Sequence, residues 1–155
     1  MKNHKDIFLE KEKLFDVSIK AGELLLDYQK KLKSLNVTHK EGQGVVSEAD
    51  KEAENLIISE LNHIFPGFNY YAEESSFENN QLVTSEMLGG YLWLIDPLDG
   101  TSNYLSGFDY FSVSISLCFN GMPVWGSVYR PITGEMFYAG LGEGAFYRDD
   151  QASIE

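Results

Sequence analysis

Trp93-Leu94-Ile95-Asp96-Pro97-Leu98-Asp99-Gly100-Thr101-Ser102-Asn103-Tyr104 joins an apolar run to two carboxylates, a glycine and a hydroxyl. Tyr91 to Ile95 follows Gly89-Gly90 and is short and apolar, which suits a buried strand, because Pro97 stops helical continuation. Asp96 is expected where that strand ends. Pro97 fixes its own φ and pushes Asp96 toward extended geometry, so the chain turns and Asp96 and Asp99 can converge with the Leu98 carbonyl between them. Like charges about 4 Å apart repel by roughly 4 kcal/mol at an effective dielectric near 20, so such a pair is protonated, splayed or neutralised by a cation. Oxygen ligands favour magnesium, calcium or manganese over zinc. Gly100 to Asn103 reads as a helix start, whose free N–H groups attract an anion. Taken alone, the same residues also fit a type I turn in which Asp99 caps a helix.

Upstream, Ile7, Leu14, Ala21, Tyr28 and Leu35, with Phe8, Val17, Leu24, Leu25 and Leu32, recur at helical spacing and predict one long amphipathic helix. Leu35 to Gly44 reads as a polar connector with glycines at 42 and 44. Ser47-Glu48-Ala49-Asp50 then reads as a helix start with Ser47 as N-cap, where Asp50 could serve only the helix dipole. Ala53, Leu56, Ile57, Leu61 and Ile64 continue that helix until Phe65-Pro66-Gly67 ends it. Phe68 to Ala72 predicts a strand running into Glu73-Glu74, with a polar loop beyond it to about Ser85.

Downstream the period becomes two. Phe111, Val113, Ile115, Leu117 and Phe119 alternate with Ser112, Ser114, Ser116 and Cys118, a strand with one bulky and one small face. The small face could accept a closely packed helix. Asn120-Gly121 signals a hairpin. Val124 to Arg130, Glu135 to Ala139 and Gly140 to Tyr147 then continue an antiparallel meander. Two long helices on an antiparallel sheet make an α+β fold, read as a single domain over residues 1–155.

Charge is unevenly spread. The net charge is −12, and nine of the twelve basic residues lie in the first 40 positions, leaving 18 acidic and three basic residues after them. The site-bearing region is thus anionic, which disfavours nucleic acid and anionic membranes and asks for a cation before a phosphate can bind. The Lys- and Glu-rich start lacks the apolar core of a signal peptide, and no run approaches a membrane span. The single cysteine, Cys118, excludes an internal disulfide, and the cytoplasm is the expected compartment.

Four segments in order resemble the magnesium-dependent, lithium-sensitive phosphatases of the inositol monophosphatase family: Val45-Val46-Ser47-Glu48-Ala49-Asp50; Ala72-Glu73-Glu74-Ser75; the stretch from Trp93 to Tyr104; and Phe111-Ser112-Val113-Ser114-Ile115 followed by Gly126 to Pro131 and Gly142 to Phe146. The resemblance spans about residues 7 to 150 and implies the N-terminal half of a layered α/β sandwich. It further implies that Glu73, Asp96, the Leu98 carbonyl and Asp99 hold Mg2+, in a site that takes two or three ions when complete. Asp50 and Thr101 would orient the attacking water with help from Glu73. Leu98 to Thr101 would face the substrate phosphate, Gly100 and Thr101 through backbone N–H groups. The implied activity is hydrolysis of a phosphate monoester such as inositol monophosphate; 3'-phosphoadenosine 5'-phosphate or fructose bisphosphate are alternatives within the family. Trp93 and Trp125 precede Leu94 and Gly126, so the Trp-Asp-x-Ala segment of the family's C-terminal half is missing from these residues. One expectation is an enzyme subunit or truncated form whose missing half comes from a complementing C-terminal chain or was never included, with a homodimer as the family's common form. A catalytically incompetent binding module and an inactive gene remnant are the contrasting readings.

Overall fold

The computed structural model describes residues 4–34, 39–80 and 82–149. Helices α1 (His4–Leu9), α2 (Lys11–Ser34) and α3 (His39–Ile64) precede β1 (Asn69–Ala72), and the short helices α4 (Glu73–Glu78) and α5 (Ser85–Leu88) precede β2 (Tyr91–Asp99). Helix α6 (Thr101–Leu105) then leads into β3 (Ser112–Phe119), β4 (Met122–Arg130), β5 (Glu135–Gly140) and β6 (Gly144–Asp149). The six strands form one sheet in chain order. The fold is α+β as expected, with one difference: β1 runs parallel to β2, and the other neighbours are antiparallel.

The alternation in β3 sorts the two faces. Val113, Ile115 and Leu117 are buried with Trp93, Ile95 and Trp125 against the helices, through Ala21, Leu25, Ala53 and Ile57 among others. Each such large side chain removed from water contributes roughly 1.5–3 kcal/mol. Trp93 and Trp125 meet edge to face at 6.0 Å. The long helix α2 contacts β3 and β4 on the bulky side, where apolar area is greatest. Ser114 and Ser116 instead line a cavity of about 830 Å³ on the opposite face. Close approach is needed on the helical side too, because a Cβ on Gly22 would lie 2.7 Å from the Tyr129 ring and 2.9 Å from Pro131.

Several boundaries differ from those read in the sequence. The first helix is broken at Glu10, whose N–H donates to the Ile7 carbonyl at 3.0 Å in a tighter turn. The break lets Phe8 pack against Tyr138 and Phe146 while α2 continues along the sheet. The connector and the Ser47 cap are also corrected. Residues 35–38 and Leu35 of the helical stripe lie outside the described residues, but 39–44 are already helical, so Ser47 is an exposed interior position of α3. Glycines 42 and 44 cost about 1 kcal/mol each relative to alanine without forbidding a helix. The loop after Glu73 contains α4 and α5, the latter capped by the Thr84 hydroxyl, which accepts from Met87 N–H at 3.2 Å. The last strand begins at Gly144, after a turn at 141–143. The hairpin reading holds, with Asn120 and Gly121 both at positive φ (51° and 76°). Cys118 is buried in β3, and burial pushes its thiol pKa up. Among the described residues no helix is long and apolar enough to cross a membrane.

Candidate active site

Strand pairing assembles the site. In the parallel register Ala72 lies opposite Ile95, so the next residues, Glu73 and Asp96, emerge side by side at the same end of the sheet. Glu73 opens α4, where the helix dipole favours an acid. Asp96 does not end its strand as expected. β2 runs on to Asp99 with a register shift against β3 between Asp96 and Asp99, and Pro97 is accommodated in that irregularity because it has no N–H to leave unpaired. The Leu98 N–H turns back onto Asp96 Oδ1 at 3.2 Å. Gly100 is the N-cap of α6 at φ 94°, and a Cβ there would sit 3.0 Å from the Tyr110 carbonyl oxygen. Asp99 is not the cap residue, because Gly100 occupies that position and Asp99 Oδ2 accepts from the Ser112 hydroxyl.

Asp50 reaches the same place from α3, where it is only 4% exposed. Burial first, then the charges of Glu74 and Asp96, a hydrogen bond with Glu74 and the charge of Glu73, push its pKa up to about 8. Its Oδ1 is buried without a hydrogen-bond partner. Asp96 is pushed up to about 7 by burial, then by the charge of Glu73 and a hydrogen bond with it, and by Asp99; the Leu98 N–H opposes these. Three of the expected acids, Asp50, Glu73 and Asp96, therefore crowd together. Glu73 and Asp96 both line the cavity of about 830 Å³.

The remaining expected residues are close by but turned to other partners. Asp99 Oδ2 accepts from the Ser112 hydroxyl at 3.3 Å, and the Thr101 hydroxyl donates to the Leu98 carbonyl at 3.0 Å. That carbonyl retains a second lone pair. Asp99 and Gly100 line a neighbouring cavity of about 270 Å³ with Arg130. Among the described residues no group of three or more His, Cys, Asp or Glu side chains stands ready to hold a metal ion. The donor chemistry nevertheless fits a hard cation: carboxylate and carbonyl oxygens, burial and neighbouring acids that raise two pKa values, and an orphaned buried carboxylate oxygen.

Two contributors were missed in the sequence. Ser112 fixes Asp99, and Glu54, 3% exposed, accepts from the Glu74 and Ser75 N–H groups. The available signal for Glu54 was its position four residues after Asp50, which puts both acids on one helical face.

Residues 11–155 match the family model described as the inositol monophosphatase family. The Nus factor SuhB of Xylella fastidiosa is 38% identical over 134 residues, covering 86% of this chain and 46% of that protein. The fructose-1,6-bisphosphatase/inositol-1-monophosphatase of Thermotoga maritima is 36% identical over 136 residues, covering 87% of this chain and 49% of that one. The solved structure of extragenic suppressor protein suhB from Bartonella henselae, in its native form, superposes with a TM-score of 0.71 at 32% identity, covering 90% of this chain and 52% of its own. The chain spans about half the length of the relatives it matches. With fold, motif order and family model in agreement, the chain belongs to the inositol monophosphatase family.

Proposed function

We propose that this chain supplies the acidic half of a magnesium-dependent phosphatase centre acting on small phosphate monoesters of the inositol monophosphate type. The observation that carries the reading is the convergence of Asp50, Glu73 and Asp96 from three separate elements, with Glu73 and Asp96 lining one cavity. Glu73, Asp96, Asp99 and the Leu98 carbonyl are the residues that would hold Mg2+. Bound magnesium supplies Lewis-acid stabilisation of charge on phosphate oxygens and makes a water acidic enough to attack at neutral pH. Asp50, whose buried Oδ1 has no hydrogen-bond partner, and the Thr101 hydroxyl are the groups that would orient an attacking water, with Asp50 the one suited to accept its proton. The Gly100 and Thr101 N–H groups at the start of α6 hold phosphate oxygens.

The test is phosphate release from inositol 1-phosphate with magnesium, by the chain alone and together with a polypeptide supplying the half of the relatives it does not match. Release that disappears in Asp96→Asn supports the reading, and undiminished release in that variant removes it. A second reading, a metal-binding module without turnover, is favoured by the chain's spanning only about half the length of the relatives it matches. It is supported if magnesium binds but neither mixture releases phosphate.

A further inference from the structure

The second buried acid of α3 has no part in the chemistry above. Glu54 is 3% exposed, and both its oxygens are taken by backbone: Oε2 accepts from Glu74 N–H at 2.9 Å, and Oε1 from Ser75 N–H at 3.1 Å. Those two N–H groups belong to the first turn of α4, where no intrahelical acceptor exists for them. The charge is thus met by donors and by the positive end of a short helix, in place of a basic side chain. One residue before the clamped pair stands Glu73, whose carboxyl hydrogen-bonds Asp96. On its other side Ala72 is fixed by pairing with Ile95. Glu73 therefore sits between a strand register and a carboxylate clamp, and α3 carries both that clamp and Asp50, one turn apart.

We infer that Glu54 is a positioning residue: it sets where Glu73 presents its carboxylate to the cation, and does so by hydrogen-bonding the α4 backbone rather than by touching the ion. The inference rests on the metal reading of the site for its consequence, and on the two hydrogen bonds for its geometry. Outer partners of this kind are typically worth 10–100-fold in metal affinity. Glu54→Gln keeps the shape but sets an NH2 group against one of the two N–H donors. Glu54→Asp keeps the charge but draws it back by one methylene.

The test measures two quantities on the full chain: Mg2+ affinity by calorimetric titration, and exchange protection of the Glu74 and Ser75 amides by NMR without metal. Expected is about tenfold weaker magnesium binding in both variants, with faster exchange at those two amides and helical circular dichroism unchanged. If Gln weakens binding and Asp restores it, Glu54 acts through its charge on the ion, and the positioning role is overturned. Unchanged amide exchange in Glu54→Gln overturns it as well, and this arm requires no metal. If the unsubstituted chain binds no magnesium, the metal reading fails by itself, and amide exchange alone decides whether Glu54 clamps α4.

Discussion

Asp50 and Asp96 are held in a state that is unfavourable for ionisation, and this has a thermodynamic sign. An unfolded aspartate titrates near 4, whereas burial and neighbouring acids push Asp50 up to about 8 and Asp96 to about 7. Between these values the folded chain binds more protons than the unfolded one, so metal-free stability falls as pH rises from about 4 to about 8 and levels off above. Asp50→Asn is expected to flatten part of that slope and to be more stable than the parent at pH 8, as read by thermal midpoints across pH. Magnesium should oppose the trend, because binding requires the ionised carboxylates, and its affinity should rise over the same window. Gly100 is the other demanding position. Alanine there must adopt φ near 94° and meets the Tyr110 carbonyl, so Gly100→Ala is expected to cost about 2 kcal/mol or more in urea unfolding.

Elements whose identity depends on local pattern were legible, and those that depend on partners were not. Period-two alternation located β3, and Asn120-Gly121 located the turn that leads into β4. The start of α3 was misplaced because glycine penalties were read as a boundary, when they are small beside the packing of a helix whose buried face continues to Leu61. Small residues on the other face of β3 permit close approach of a helix. Permission is not a driving force, and the helices went where the apolar area was. Gly22 sets this packing distance. Although alanine favours a helix by about 1 kcal/mol, a Cβ at 2.7 Å from the Tyr129 ring overpacks the contact at a cost of roughly 1–3 kcal/mol. Gly22→Ala should therefore lower the urea midpoint without changing the m-value.

Across the whole molecule, the candidate site was legible as a set of residues but not as an arrangement. Asp50, Glu73, Asp96 and Asp99 could be named from motif order, yet only the parallel pairing of β1 with β2 puts Glu73 beside Asp96, and Glu54 and Ser112 became visible through their hydrogen bonds. The same scale carries the charge argument. A net charge of −12, with 18 acidic and three basic residues after position 40, leaves a cation as the natural counterpart of the crowded carboxylates. The most direct measurement is calorimetric titration of Mg2+ into the purified chain near pH 8, compared with Asp96→Asn under the same conditions. Saturable binding in the parent that is lost in Asp96→Asn is expected. Equal binding by both, or no binding by the parent, would contradict a magnesium site built on Asp96.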